Sequence, residues 1–414
     1  MSGNFRLVEA HYGAETSFAE AVTTYTGRLP VLSYTLTTTQ ERIRDGALLS
    51  RENDENLSHL GSKSAELEFT TYLIGHLTTA ADVLTQTWLQ DLLSDGWGGG
   101  DTAGTGTTIS GGTSSATSIN VADKGGFVAG DIVRVGVKGD GRGDGAPAVI
   151  STVTEATPDV LALLTGLPAA PTTAGDVVYG CQMAYRDETA TLATKRFMIG
   201  YSSTPTTGAQ YHLRGGGLAG VTFDFPVATG GLPTVTLKYL FADWVRSAVT
   251  IPSTSPTLSD DFCGPCAGGS FFRNNFGTAT RVTITPANVR FSTEMDLRPI
   301  AGPGGVGTYQ SNTGWALTKC QPTMTVDLPW TTTEEASFDT ANQSYTYQHL
   351  LFATNHSDGR HVSIYMPRAF RVLNRPSQPI EVNGQLYTTN TYVGRDSTTT
   401  DTELTRSPFR LAMG

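Results

Sequence analysis

Charged side chains are scarce in this sequence. Only 16% of the 414 residues are Asp, Glu, Lys or Arg, whereas soluble proteins usually carry about 25%. Threonine, serine and 46 glycines take their place, together with 20 prolines. Threonine favours strands, while glycine and proline mark turns. Because 38% of the residues are hydrophobic, the composition argues against disorder and predicts a mostly β protein with many connections.

Long apolar runs are missing, and cysteines are few. No stretch approaches the roughly 20 apolar residues that a membrane span needs. The first residues, MSGNFRLVEAHYG, lack the basic and apolar regions of a signal peptide. Four cysteines in 414 residues fit a reducing compartment. We therefore expect the chain to be made and kept in the cytosol, at least initially, with no membrane partner.

Basic charge is also in deficit, and the net charge is −10. Residues 1–100 carry 13 acidic and 6 basic side chains, whereas residues 201–414 carry 15 of each. A protein that grips nucleic acid needs a basic surface. This chain is therefore expected to repel DNA or to let it pass.

The sharpest motif is C-G-P-C, from Cys263 to Cys266. As a redox motif it needs a strand before it and a helix after it, which lowers the pKa of the first thiol. The flanks STSPTLSDDF and AGGSFFRNN predict neither element. Asp260 and Asp261 would also raise a thiol pKa rather than lower it. We interpret the motif as a tight loop with buried or idle thiols.

Two other patterns have structural explanations. Residues 215–220, GGGLAG, fit the dinucleotide pattern G-x-G-x-x-G, which requires a helix immediately afterwards. The next residues, VTFDFPV, are typical of a strand, so we predict a turn between strands. No metal is expected, because Cys181, Cys320 and the seven histidines show no paired ligand spacing.

Paired carboxylates are the remaining candidates for catalysis. Glu334 and Glu335 are adjacent, and Glu66 and Glu68 are two residues apart. Residues two apart on a strand share one face, so Glu66 and Glu68 indicate a solvated acidic stripe. The sequence therefore predicts no catalytic, cofactor or metal site, and no enzyme.

Turn signals and a Gly/Thr/Ser-rich stretch at 96–118 divide the chain. We predict a mostly β fold of tandem β-sandwich or barrel domains, each with one flanking helix, plus an inserted small β-barrel. The insert is expected to make few contacts with the rest, because a low-complexity linker bounds it. The segments are an N-terminal arm (1–34), a first β domain in two pieces (35–106 and 184–250), the inserted domain (107–183), a connector (251–278) and a second β domain (279–414).

Periodicity predicts one clear helix, from Leu77 to Leu93 and stopping at Gly96. A helix-like stretch, Tyr345–Phe352, falls in the second β domain. Two alignments could relate the domains, of which at most one is right. The first aligns VTFDFPV (221–227) with MTVDLPW (324–330), and the second aligns LGSKSAELEF (60–69) with LTKCQPTMTV (317–326).

The order of these parts points to a known family. An extended arm leads to a strand and a long polar loop, RIRDGALLSRENDENLSHLGSKS. The strand AELEFTTYL is followed by a helix that ends LLSDGWGG, then by YHLRGGGLAGVTFDFPV and a closing PFRLAMG. This order resembles the tail tube proteins of long-tailed bacteriophages (siphophages), especially the longer kind with two tube domains and an inserted small β domain. The likeness covers about residues 30–100 and 185–414.

The resemblance implies a structural virion protein that self-assembles into stacked rings. Three chains, with six tube domains, would make each ring of the hollow tail tube. Viral DNA would pass through the lumen during ejection without sequence-specific binding. The implied partners are further copies of the chain, a tape-measure protein, and tail-tip and terminator proteins. The implied location is the virion tail, after assembly in the host cytoplasm.

The resemblance also suggests surfaces. Lumen-facing strand positions in this family tend to be acidic, which makes Glu66, Glu68 and Asp224 the candidates here. Ring-to-ring contact is expected between an acidic loop and a basic cluster, formed by Glu52, Asp54 and Glu55 and by Arg360, Arg368, Arg371 and Arg375. Two other classes stay open: a different β-rich virion component, such as a minor tail or decoration protein, and a carbohydrate-binding β protein.

Overall fold

The structure is a computed structural model in which the chain is mostly β-strand. Large antiparallel sheets dominate, and one of them curls into a half-barrel, which confirms the predicted fold class. No helix in the described part is long and apolar enough to cross a membrane. The described residues are 8–20, 25–44, 58–73, 88–102, 106–110, 113–137, 146–171, 176–187, 190–204, 207–247, 263, 266–275, 283–301, 312–336, 347–354, 361–372, 379–395 and 407–414.

The strands and the helix before the insert come first in the chain. They are β1 (Val8–Ala14), β2 (Gly27–Leu29), β3 (Ser33–Arg44), β4 (Ser58–Tyr72), α1 (Trp88–Trp97) and β5 (Gly98–Thr102). The insert has its own strands. They are β6 (Thr107–Thr108), β7 (Ser118–Val121), β8 (Ile132–Val137), β9 (Ala146–Thr154), β10 (Asp159–Leu163) and β11 (Asp176–Tyr179).

The rest of the chain is again mostly strand, with a helical turn at 332–336. The first group is β12 (Gln182–Arg186), β13 (Lys195–Thr204), β14 (Thr207–Phe225), β15 (Thr234–Phe241) and β16 (Asp243–Ser247). The last group is β17 (Ser270–Asn275), β18 (Thr283–Ile284), β19 (Val289–Ala301), β20 (Asn312–Pro329), β21 (Gln348–Ala353), β22 (Val362–Arg371), β23 (Ile380–Val382), β24 (Gln385–Gly394) and β25 (Arg410–Met413).

A continuous antiparallel sheet, called the long sheet here, runs through both halves of the chain. Its spatial order is β3, β4, β15, β14, β19, β20, β24. Its strands alternate apolar and polar residues, so one face is buried. In β4, for example, Ala65, Leu67 and Phe69 are buried, whereas Glu66 and Glu68 are not. This is the half-buried strand that the sequence predicts.

A second layer of strands covers the buried face of the long sheet. Phe197 of β13 lies over Phe69 and Tyr239, at ring-centroid distances of 6.2 and 4.7 Å. In the second half, Phe352 of β21 lies 4.8 Å from Phe225. Aromatic pairs of this geometry add to the apolar burial, so the core lies between the two layers.

The two halves share one strand arrangement. In the first, β2 pairs with β1, β1 with β13, β13 with β14, β14 with β15, β15 with β4, and β4 with β3. In the second, β18 pairs with β17, β17 with β21, β21 with β22, β22 with β24, β24 with β20, and β20 with β19. The chain is therefore a tandem repeat of one β unit.

Strand register identifies the correct internal alignment. Leu67 of β4 pairs with Tyr239 of β15, as Met324 of β20 pairs with Tyr392 of β24. Both hairpins also carry an irregularity at matching places, after Gln40 in β3 and after Asp296 in β19. These matches support the alignment of 60–69 with 317–326. The alternative, 221–227 with 324–330, is wrong because it equates β14 with β20.

The predicted N-terminal arm and polar loop need correction. Residues 1–34 were expected to be an extended arm, but β1 and β2 belong to the second layer and pair with β13 and with each other. The β3–β4 hairpin remains paired as far as Arg44 and Ser58. The first and last residues of the predicted loop therefore belong to these two strands. Residues 45–57 lie outside the described part.

Two predictions in the second half are also wrong. The stretch Tyr345–Phe352 was expected to be helical, but 348–352 belong to β21, in which every residue is buried. The predicted connector, 251–278, contains β17. The first helix is confirmed at its end, where α1 runs to Trp97, one residue past the predicted stop. Its predicted start, 77–87, lies outside the described residues.

The insert closes into a small barrel, as predicted, but it is not loosely attached. Its sheet runs β6, β11, β8, β9, β10, β7, and a bridge between Ile109 and Val121 joins the two ends. Its core is continuous with Phe272 and Tyr365 of the second layer. Arg134 donates a 3.0 Å hydrogen bond to the carbonyl oxygen of Thr354. The expectation of few contacts is wrong, because the insert covers apolar side chains of the second half.

The glycine-rich motif forms a bend inside β14 rather than a turn between strands. Before the bend β14 pairs with β13, and after it with β15 and β19. Gly215 has a φ of +63°, a conformation that favours glycine. A Cβ on Gly216 would lie 2.4 Å from the ring of Phe241 and 2.5 Å from the carbonyl oxygen of Lys195. The glycines allow one strand to serve both layers.

We expect Gly216→Ala to destabilise the fold by about 1–3 kcal/mol, because the added methyl group overpacks a site closed by backbone. Gly314→Ala is the matched control, since its Cβ would meet nothing closer than 3.5 Å. Urea unfolding of both variants measures the difference. Equal midpoints would show that the bend tolerates a side chain.

Each half anchors the helical segment that follows its hairpin with a buried ion pair. Lys195, which is 2% exposed, binds Asp91 of α1 at 3.0 Å and also contacts Asp95. In the second half, Glu334 on the helical turn accepts two 2.9 Å hydrogen bonds from Arg273. Arg371 donates a third, at 2.6 Å, to the same carboxylate. The pair Glu334/Glu335 is thus partly a structural anchor.

Candidate functional site

The uncovered side of the long sheet, called the open face here, is an ordered polar surface that spans both halves of the chain. It consists of the alternate residues of each strand, which are exposed or half-buried except for Tyr387 of β24. One row across five strands is almost entirely threonine. Its members are Thr70, Thr236, Thr222, Ser292 and Thr323. The hydroxyl groups of Thr70 and Thr236 are 2.9 Å apart, so the row is a hydrogen-bonding band without charge.

The three predicted lumen-facing acids all lie on the open face. Glu66 and Glu68 are on β4 and Asp224 is on β14, two strands away. Lys238 lies 2.8 Å from Glu66, and Arg290 lies 3.5 Å from Asp224. Exposed pairs of this kind contribute little stability. Their effect is to balance part of the acidic charge of the face.

Further carboxylates on the open face were missed from the sequence. They are Glu294, Asp296 and Asp327. The alternation V-R-F-S-T-E-M-D at 289–296 is a sequence signal for the first two, since polar residues alternate with apolar ones. In the structure the apolar members of this stretch are buried. Burial raises the pKa of Asp327, and a 2.7 Å hydrogen bond from Thr389 partly offsets that rise. Carboxylates outnumber cations across these positions, so the face is weakly acidic.

The two halves meet at a junction between β14 and β19. Their backbones pair from Gly220 with Glu294 to Phe225 with Val289. Trp315, on the neighbouring strand β20, donates a 2.7 Å hydrogen bond to the carbonyl oxygen of Gly215. One repeat is therefore joined to the next by strand pairing and by a tryptophan that packs on the β14 bend.

Strand β3 holds in the first half the place that β19 holds in the second. Within the described residues β3 pairs with β4 alone, whereas β19 lies between β20 and β14. Its outward side chains are short, uncharged and exposed, namely Ser33, Thr35, Thr37 and Thr39. An edge of this kind presents backbone N–H and C=O groups to another strand. The repeat thus leaves one junction surface unused.

Of the residues predicted to make ring-to-ring contacts, two lie within the described part of the chain. Arg371 is 4% exposed and binds Glu334 within the chain, so it cannot serve an outside partner, and that prediction is wrong. Arg368 is partly exposed, with its guanidinium 5.7 Å from the ring of Tyr347. The other predicted contact residues lie outside the described part of the chain, namely Glu52, Asp54, Glu55, Arg360 and Arg375.

The C-G-P-C thiols lie in the core. Cys263 and Cys266 are 1% and 0% exposed, and burial raises their pKa values to about 11 and about 12. Thiolate formation is therefore disfavoured at neutral pH. Among the described residues no cluster of three His, Cys, Asp or Glu side chains could hold a metal ion.

Thiol titration should reflect this burial. Of the four free cysteines, Cys320 alone is partly exposed, so native protein is expected to react quickly with a disulfide reagent at one thiol. All four should react after unfolding in urea. Cys320→Ser should remove the fast phase. A fast phase that survives this substitution would place another thiol at the surface.

Comparison with protein-family models and with curated proteins finds no match to this sequence. The function must therefore be argued from the open face, the repeat junction and the β3 edge.

Proposed function

We propose that this chain is the structural subunit of a hollow tube of the phage tail-tube kind. Copies join edge to edge into rings, and the rings stack. In this proposal the protein is not an enzyme, and it resides in the virion tail after assembly in the host cytoplasm.

The observation that carries the proposal is the junction between β14 and β19. Within one chain, this junction shows that the first repeat binds the second by pairing of β14 with β19. The second repeat has its own counterpart of β14, which is β22, and the first repeat offers β3. In the proposed contact, β3 of one chain lies beside the end of β22 in another, as β19 lies beside β14 within one chain. Of the second-repeat positions that match Gly220–Phe225, only Val372 lies within the described residues. Continued around a circle, this contact leaves no edge of the long sheet unpaired.

The contact joins unlike surfaces, so it is heterologous. Heterologous contacts give closed rings when the rotation closes. Each chain supplies two repeats, and three chains supply six, in line with the ring that the sequence resemblance implies. A homotrimeric ring is thus the assembly that we propose.

The open face is proposed to line the lumen. Its threonine row and partly balanced, weakly acidic charge offer few cations to a phosphate backbone, and cations dominate nucleic-acid affinity. DNA would pass without sequence-specific binding. Before DNA enters, a tape-measure protein would occupy the lumen, and tail-tip and terminator proteins would bind the ends.

Microscopy tests the proposal directly. Purified protein is concentrated and imaged by negative stain, while sedimentation velocity follows its mass over a range of concentrations. We expect trimeric rings and then tubes as the concentration rises. A chain that stays monomeric at every concentration would refute the tube proposal.

A further inference from the structure

One end of the long sheet carries an apolar rim. Five of the eight large hydrophobic side chains that are exposed in the described residues lie there. They are Leu32 (52% exposed), Trp330 (47%), Leu232 (43%), Leu386 (43%) and Ile380 (39%). Exposed apolar residues that recur along one end of a sheet favour an interaction surface there.

Backbone contacts show that these residues share one end. Leu32 precedes β3 and its N–H binds the carbonyl oxygen of Thr70, near the end of β4. Leu232 precedes the start of β15. Trp330 follows the end of β20, and its N–H binds the carbonyl oxygen of Leu386, near the start of β24. The apolar rim therefore runs along the strand ends of both repeats.

The opposite end of the long sheet is different. There the β19–β20 hairpin continues past its neighbours, since β19 pairs with β14 only up to Glu294 but with β20 up to Ala301. The β3–β4 hairpin likewise continues past β15, whose pairing with β4 stops at Ala65. Ile300, on the projecting part of β19, is 46% exposed. The subunit thus has a rim end and a hairpin end.

We infer that the apolar rim is the surface on which the next ring of this chain sits, with its hairpin end facing the rim. This inference rests on the proposed function. If copies join through their sheet edges, the strand ends become the two faces of the ring. The rim then repeats around one face as an apolar annulus. Contact between two unlike faces does not close, so it generates an open stack.

Ring stacking is therefore driven by apolar burial rather than by the Arg368–Arg371 region. The two mechanisms respond differently to salt. Exposed ion pairs weaken as salt screens them, whereas sulfate strengthens apolar association. Tubes should persist, or lengthen, in sodium sulfate.

The test replaces two rim residues with lysine, Leu232→Lys and Leu386→Lys, in the full chain. Both side chains are exposed, so unfolding midpoints should change little. We expect trimeric rings that no longer stack. Val128→Lys is the matched control, because Val128 is 52% exposed but lies in the insert, and it should form tubes like the original chain.

Each outcome is informative. Normal tubes from both rim variants would overturn the inference and leave the proposed function standing. Variants that lose their rings as well would also overturn it, because the rim would then serve ring closure. Failure of the unsubstituted chain to form rings would count against the proposed function itself.

Discussion

Replacing Glu334 with alanine should destabilise the protein by about 3–5 kcal/mol. The Glu334 carboxylate is 5% exposed and binds both Arg273 and Arg371. Removing it takes from two largely buried guanidinium groups the carboxylate that both bind, and breaking a buried ion pair by removing one partner is strongly destabilising. Unfolding in urea, followed by circular dichroism, measures the loss.

Glu335→Ala is the control for this prediction. The neighbouring Glu335 is partly exposed and accepts a hydrogen bond from Trp330, so its loss should cost about 1 kcal/mol or less. Glu334→Gln should fall between the two, because an amide keeps a hydrogen bond but not the charge. If Glu334→Ala and Glu335→Ala unfold alike, the anchor contributes no net stability.

Proline at the β3 position whose N–H faces the open edge should abolish assembly altogether. Proline has no N–H group and cannot donate to a sheet partner. Neighbouring N–H groups along a strand point to opposite sides of the strand. Thr37→Pro and Thr38→Pro therefore form a matched pair of variants. One N–H faces β4 and the other faces the open edge.

The two proline variants should therefore separate folding from assembly. The variant that loses the bond to β4 should be destabilised by about 1–3 kcal/mol. The other should unfold nearly like the original chain yet sediment as a monomer at every concentration. Trimers formed by both folded variants would exclude β3 as the closing edge.

Some strands of the repeat could be predicted from the sequence pattern and others could not. Short-range alternation around Ala65–Phe69 predicted β4 correctly, because one face is buried and the other is wet. The helical reading of Tyr345–Phe352 failed where β21 is buried on both faces, since a short apolar run has no period that separates strand from helix. Comparing single stretches also left two alignments open, and only strand register decided between them.

The predicted sites divide in the same way. Glu66, Glu68 and Asp224 share a face because a period of two places alternate residues on one side, a local property. Arg371 was predicted to belong to a surface cluster, but its side chain is buried and binds Glu334, 37 residues away along the chain. The β3 edge and the apolar rim could not be seen at all, since each is defined by what lies next to it in space.

By itself the sequence determined the β-rich class, the inserted barrel and the acidic alternation of the open face, because composition and periodicity act within a few residues. Only the tertiary structure decided that the two β units form one long sheet, that its β3 edge is left without a partner in the described residues, and that apolar residues gather at one end. Those features arise from pairings between distant segments, such as β14 with β19. Backbone hydrogen bonding alone does not encode which strands meet, so shape and burial across the whole fold select them.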